Sequence, residues 1–380
     1  MTAAGDKDNR PRLPFRYLQP TFFAGLLDDP LLFLRIRPLG RSLLFDCGQL
    51  QHVAKRTLKS IDAVFISHAH MDHFMGFDQV LRSTLITGRT LDVFGPCGLG
   101  ERMRHKLAAY DWNLAEDFWC TIRVNEILPE HIVRWEFPGP DSFRCRQLEP
   151  IRRSAKEIFH NRFVHVEAEP VDHKIPSLMF RIRERHPFAV DAEKIRQVGL
   201  QPGDWLAGLK RLFYEQRLAG AELPVPHAGE PSRFTDAAEL YRAICRDVTP
   251  ASIGYLSDVG FTTANTEKIS QFLRGVTLLV SECTFLRNEV ERARASFHLT
   301  TADLNHLLSE LSPQFVLPMH VSKTYSSRLF EIYTEISPPA GVRLLTLPTH
   351  LPPAPLLADQ VPPLQEFQPE LDSDTVSRID

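Results

Sequence analysis

No stretch of this 380-residue sequence is long and apolar enough to cross a bilayer. The most apolar early segment, Phe22 to Ile36, is broken by Asp28-Asp29-Pro30. Met1 to Pro14 is polar and mixed in charge, without the apolar core of a secretion signal. Neither a membrane segment nor a targeting signal is expected, and a cytoplasmic location follows by default. The six cysteines (Cys47, Cys97, Cys120, Cys145, Cys245, Cys283) are scattered and form no Cys-x-x-Cys pair. A chain of this length has no need of disulfide staples, so reduced thiols are the simpler reading. An excess of positive charge is also missing. Lys and Arg number 44 against 47 Asp and Glu, a formal charge of −3, which excludes a protein coated in basic surface. A local stripe could still neutralise phosphates. Arg144 to Arg162 and Lys210 to Arg217 are basic enough to be such stripes, with a solvated face as the plainer alternative.

The apolar fraction of 43% and charged fraction of 24% predict a packed core. Length alone does not separate one large domain from two. Leu31–Arg37 and Ser42–Asp46 read as short strands joined by the turn Pro38-Leu39-Gly40-Arg41. Ala63–Ser67 is an unbroken apolar run suited to a strand covered on both faces. Leu91–Phe94 reads as a strand closed by Gly95-Pro96, and Leu99–Tyr110 as a helix. Ser177–Ile182 is strand-like, Asp191–Gly199 helical, and Leu218 to Pro231 a loop. Three strands then each lead into polar residues: Ser252–Leu256 into Ser257-Asp258, Val276–Val280 into Ser281-Glu282, and Phe315–Leu317 into Pro318-Met319-His320. Helices are expected between them at Thr266–Leu273 and Thr301–Leu311. Alternating strands and helices indicate an α/β protein, in which ligand groups gather beyond the carboxyl ends of strands. The tail 347–380 is rich in proline and acids, lacks periodicity and is expected to be disordered.

The run His68-Ala-His70-Met-Asp72-His73 begins directly after a buried strand. Side chains alternate along extended backbone, so His68 and His70 project together. A turn into helix would swing Asp72 and His73 toward the same cavity. Imidazoles and a carboxylate at this spacing suit zinc, iron or manganese rather than calcium. Lone histidines are usually surface groups; this concentration points to a metal site.

These residues resemble the signature of the metallo-β-lactamase superfamily, and further segments resemble its ribonuclease Z branch, which trims the 3′ trailer from precursor tRNA. Leu44-Phe45-Asp46-Cys47-Gly48, Gly95-Pro96-Cys97-Gly98-Leu99 and Val171-Asp172-His173 are similar to that branch, in order. So are Ser257-Asp258, Ser281-Glu282-Cys283-Thr284-Phe285, His298-Leu299-Thr300-Thr301 and Pro318 to Tyr325. Phe188 to Lys210, with Gly199-Leu200-Gln201-Pro202-Gly203, resembles the base of the arm with which that branch grips tRNA.

The resemblance implies an α/β fold, a four-layer αββα sandwich of two mixed sheets, over residues 15–346, with insertions at about 111–170 and 187–231. It implies two zinc ions, with manganese or iron as alternatives. His68, His70 and His173 would hold one ion, Asp72, His73 and His320 the other, and Asp258 would bridge. Asp72 would also activate the attacking water, and Glu282 with His298 would deliver a proton to the departing oxygen. Ser322 and Lys323 could touch a substrate phosphate. The partner implied is RNA, as precursor tRNA, with a small phosphodiester such as a cyclic nucleotide as the alternative. A homodimer is implied as well.

Overall fold

The computed structural model describes residues 11–227, 230–351 and 356–366. They fall into two compact units: one holds residues up to 160, 165–183 and those from 251 onward, the other 161–164 and 184–250.

The first unit is built on two eight-stranded sheets. One runs in chain order from β1 (Leu18–Thr21), β2 (Leu32–Ile36), β3 (Arg41–Phe45) and β4 (Ile61–Phe65) to β5 (Thr90–Pro96), β6 (Thr121–Ile127), β7 (His131–Pro138) and β8 (Arg146–Arg152). The other contains β9 (Glu157–His160), β10 (Val164–Asp172) and β11 (Pro176–Glu184). The hairpin β12 (Glu222–His227) and β13 (Glu230–Asp236) of the second unit then interrupts the chain. The second sheet is completed by β14 (Ser252–Leu256), β15 (Leu278–Glu282), β16 (Phe315–Met319), β17 (Arg343–Thr346) and β18 (Gln365–Glu366). Both sheets are mixed. β3 to β6 pair in parallel, as do β14 to β17, and antiparallel strands flank each group.

The inner faces meet through aromatic rings. Phe45 and Phe65 stack at 4.6 Å, and Phe180 of the opposite sheet lies edge-on to them at 5.5 and 5.8 Å. Such pairs contribute about 0.5–1.5 kcal/mol beyond the area they bury. The outer face of the first sheet is covered by the helices Phe77–Thr84 and Leu99–Leu107, whose Phe77, Val80, Leu99 and Met103 share one apolar cluster with Val64, Val93 and Val124. The second sheet is covered by Thr263–Leu273, Thr301–Leu311 and Leu329–Glu335, through Phe272, Leu304 and Ile332 against Leu279 and Val316. Apolar runs such as β4 and β15 follow from this, since helix and sheet sandwich them on both faces. The four αββα layers expected from the sequence are present.

Three segments differ from expectation. Residues 111–170 hold β6 to β9 and most of β10, so they are sheet and not an insertion. β8 is exposed or half-exposed along its whole length, as an edge strand can be, and so shows no alternation to read. Leu218 to Pro231 is largely the hairpin β12–β13 and not a loop. Its Pro224 and Pro226 suggested a loop, but a two-stranded ribbon has only edges, where proline is tolerated, and Leu223 and Val225 point into the second unit's core. That core also gathers Ile195, Trp205, Leu209, Leu240 and Ile244. In the tail expected to be disordered, the described part is packed: β18 pairs with β17, Leu356 bridges to Val53, and Arg343 is ion-paired to Glu366. Residues 352–355 and 367–380 lie outside the described residues. No described helix is long and apolar enough to cross a membrane.

Asp28 ties the two ends of the first unit together. Its carboxylate accepts from Gly25 N at 2.7 Å, His350 Nδ1 at 2.6 Å and Leu351 N at 3.2 Å. Burial alone would raise this carboxyl, but those hydrogen bonds outweigh it and leave its pKa below the usual carboxylate value. A lowered folded-state pKa stabilises above the unfolded value of 3.8, and that contribution is lost as pH falls through the lowered value. Asp28→Asn is therefore expected to unfold at lower urea than the parent at pH 7. The difference should shrink at pH 3; a constant difference at both pH values would contradict the account.

Candidate metal centre

The site forms where strands end. β4 runs through Ile66 and Ser67 into His68; β14 into Ser257-Asp258; β16 into His320; β10 into His173. β4 of the first sheet and β10, β14 and β16 of the second deliver these residues to one rim, the usual ligand edge of an α/β sheet. After His68 the chain turns at His70 into the short helix Met71–Phe74, which carries Asp72 and His73 inward. His320 adopts φ +57°, a left-handed conformation uncommon outside glycine. Such a conformation costs about 1–3 kcal/mol and persists where the surroundings enforce it.

Asp258 stands at the centre. Its Oδ2 lies 3.6 Å from His68 Nε2, 3.5 Å from His73 Nε2, 3.6 Å from His173 Nε2 and 3.2 Å from His320 Nε2. His70 Nδ1 is 3.0 Å from His68 Nε2, and Asp72 Oδ2 is 3.6 Å from His73 Nε2 and 3.8 Å from His320 Nε2. Three overlapping groups of donor atoms result, each within 4.8 Å: His68, His70, His173 and Asp258; Asp72, His73 and His320; and Asp258, His298 and His320. All seven residues expected as ligands are thus brought together. His73 Nε2 and Asp258 Oδ1 are buried with no hydrogen-bond partner. An unmet buried polar atom costs about 1–3 kcal/mol, and a divalent cation answers both. Nitrogen and carboxylate donors fit such an ion. Burial, with His73 close by, lowers His68 to a pKa of about 2, so its imidazole is neutral and free to ligate. Burial lowers His173 as well. For His73 burial also acts downward, but the Asp258 and Asp46 carboxylates outweigh it and raise the imidazole well above 6.5. A cation taking its Nε2 would displace that proton.

Residues 41–141 match the family model of the β-lactamase superfamily domain. The chain is 28% identical over 286 residues to ribonuclease Z of Deinococcus radiodurans, covering 74% of this chain and 83% of that protein. It is 26% identical over 295 residues to ribonuclease Z of Limosilactobacillus fermentum, covering 75% and 79%. By these likenesses the chain is similar to ribonuclease Z over about three quarters of its length and, over residues 41–141, to the β-lactamase superfamily domain. The crystal structure of human tRNase Z, short form, overlaps it with a TM-score of 0.46 at 15% identity, covering 80% of this chain and 93% of that one.

The sequence signals missed one residue at the centre of this αββα fold. Asp46, fully buried, accepts from His73 Nδ1 at 2.9 Å, Ser67 N at 2.7 Å, Ser67 Oγ at 2.8 Å, Tyr255 OH at 2.9 Å and Ser257 Oγ at 3.2 Å. It fixes the His73 ring so that Nε2 faces Asp258. The signal was present, since Asp46 directly follows an apolar strand as Asp258 does. Next to it, Cys47 N donates to His73 O and Gly76 N to Cys47 O, both at 2.8 Å. The approach is so close that a Cβ on Gly48 would lie 2.1 Å from Asp72 O.

Glu282 and His298 form a second constellation beside the first. Glu282 Oε1 accepts from Val259 N at 2.7 Å; Oε2 accepts from Leu299 N at 3.0 Å and Thr284 Oγ1 at 2.8 Å and lies 3.2 Å from His298 Nδ1. Burial would lower His298, but Glu282 and then Asp258 raise its pKa to about 9. Cations held at Asp258 would offset that carboxylate's share and bring the imidazole closer to neutrality. His298 Nδ1 is also 3.9 Å from Asp258, near enough to compete for a metal, but Glu282 already engages it. Ser322 and Lys323 stand outside the donor groups. Ser322 Oγ pairs with Thr324 Oγ1 at 2.9 Å, and the Lys323 side chain is 72% exposed, 3.9 Å from Asp29.

Because two buried polar atoms answer to the ion, its removal should cost stability. Treatment with a chelator is expected to lower the melting temperature, and zinc to restore it. Asp258→Ala should melt at the chelated parent's temperature and gain nothing from zinc. A chelator without effect on the parent, in a preparation shown to contain metal, would sink this reading.

Proposed function

We propose that this chain is a binuclear, metal-dependent phosphodiesterase that cleaves RNA endonucleolytically at tRNA 3′ ends. Two zinc ions are the proposed cofactor, manganese and iron being able to use the same donors. The observation that carries the proposal is the Asp258 carboxylate, central to two clusters of ligand atoms, with the Glu282–His298 pair alongside. The relatives named ribonuclease Z support RNA as the substrate.

In the proposed mechanism His68, His70 and His173 would hold one ion and Asp72, His73 and His320 the other, with Asp258 available to both. When bound, such a pair supplies a hydroxide at neutral pH and neutralises the developing charge on phosphorus-bound oxygen. Asp72, about two-fifths exposed, is the acid of the set that water can reach, and it orients and deprotonates the nucleophile. Asp46 keeps His73 in one ring orientation throughout. His298, held through Nδ1 by Glu282, presents Nε2 as the proton donor to the departing 3′-oxygen. Ser322 and Lys323, on the loop after His320, are placed to meet a phosphate. A cytoplasmic homodimer is the proposed state.

A small phosphodiester as the natural substrate is the second reading. It is favoured by the second unit, which includes the segment resembling the tRNA-gripping arm yet balances its Lys and Arg against as many Asp and Glu.

Two variants test the mechanism. Asp72→Ala is expected to lose several orders of magnitude of activity on precursor tRNA and on a chromogenic phosphodiester alike, with the fold retained by circular dichroism. His298→Ala should lose about 10²–10⁴-fold on precursor tRNA at unchanged metal content. Its loss should be far smaller on an ester whose leaving group departs without a proton. Unaltered turnover in Asp72→Ala would refute the mechanism; activity of the parent on the small ester alone would select the second reading.

A further inference from the structure

Four cations border β10 on its way to the metal centre. The Arg153 guanidinium donates to the carbonyl of Ala168 and, at 3.1 Å, to that of Leu128. Lys268 Nζ donates to Pro170 O at 2.9 Å. Lys174, next in sequence to the ligand His173, donates Nζ to Ala295 O and lies 5.3 Å from the centre of the Phe297 ring. Lys156 is the exception, paired at 2.9 Å with Glu169.

Arg153, Lys268 and Lys174 share one kind of partner on the path toward His173. Each is fixed by neutral carbonyl oxygens, and none of the three forms a salt bridge among the described residues. The neighbouring Arg183 is paired with Glu167, whereas Lys194 and Arg134, away from β10, are held by carbonyls in the same way as these three. A carbonyl orients a cation without cancelling its charge. Asp172, whose Oδ1 accepts from Lys174 N, and Glu169 are the acids along the same stretch, so a net positive charge remains. The anchoring carbonyls of Ala168 and Pro170 are two residues apart on β10, about 6.6 Å, and Lys174 lies four residues beyond Pro170. Lys174 and Lys268 are exposed.

We propose that Arg153, Lys268 and Lys174 form a track for the phosphate backbone of RNA, leading along β10 to the metal centre. The proposal rests on the RNA reading of that centre and assigns it a binding surface. Cations fixed by carbonyls in a row leading to the ligand His173 suit a polyanion, with Glu169 offsetting part of the charge at Arg153, and give a small ester nothing to hold. The track follows the strand that carries His173, so backbone held there delivers a phosphodiester to the ions. It also accounts for part of the basic stretch from Arg144 to Arg162, through Arg153.

The test uses the zinc-loaded full chain, Lys174→Ala, Lys268→Ala and the double variant, with metal content checked in each. Precursor tRNA cleavage is measured across a salt series, and hydrolysis of a chromogenic phosphodiester serves as the control. Each single variant is expected to raise KM for precursor tRNA several-fold. Each should also flatten the plot of log kcat/KM against log salt by about 0.7–0.9, and the double variant by about twice that. Precursor tRNA cleavage by the parent with unchanged KM and salt slope in the variants would overturn the track while leaving the RNA reading standing. A parent that hydrolyses the small ester but neither binds nor cleaves precursor tRNA would overturn the RNA reading, and the track with it. An equal loss on both substrates would show that the lysines support the metal centre instead, which also overturns the track.

Discussion

The structure is organised around one carboxylate taken out of water. Asp258 is buried at the end of β14, and a lone buried carboxylate is expensive unless cations or hydrogen bonds surround it. Burial pushes its pKa up, yet His320 and His73 outweigh that and hold it well below the usual range. The imidazoles of His68, His73, His173 and His320 all approach the same oxygen, Oδ2, while Oδ1 has no protein partner. That imbalance is what a cation corrects, and it makes metal binding and stability of the centre one problem.

Holding this arrangement requires a rigid frame, and the fold supplies it in layers. The stacked Phe45 and Phe65, with Phe180 edge-on to both, lock the two sheets together just below the rim where the ligands emerge. Asp46 then gathers donors from both sheets: Ser67 and His73 from the first, Tyr255 and Ser257 from the second. Burial, with Asp46 nearby, raises the Tyr255 phenol well above its ordinary value, so it donates to Asp46 at any ordinary pH. One buried acid thus binds the sheets to each other and orients a metal ligand. Glu282 plays a comparable part for His298, and the loop from Glu282 to His298 is fixed in turn by the bidentate Arg294–Asp303 pair.

The same contrast explains the surface. Arg294 is paired bidentately with Asp303, whereas Lys268 and Lys174 beside β10 are held by carbonyls. The second unit has its own apolar core around Trp205 and Leu240 and balanced charge.

By itself the sequence determined the chemistry and most of the central strands. His68 to His73 carry a metal signature in six residues, and β4, β14, β15 and β16 are apolar runs whose terminal polar residues mark the rim. The helix Thr301–Leu311 was legible from its periodicity, and its capping box at Thr300 and Asp303 agrees. What lay beyond reading were features without a local pattern. β7 is half-exposed, β8 is an exposed edge strand, neither alternates, and β12 hides behind two prolines. Asp46 looks like any acid after a strand until Tyr255, more than 200 residues later, is seen to donate to it. The convergence of His173, Asp258 and His320 on the cluster at His68 likewise belongs to the tertiary structure. Side-chain type and spacing are local properties that a sequence displays; whether distant oxygens and nitrogens share one buried volume depends on how the two sheets pack.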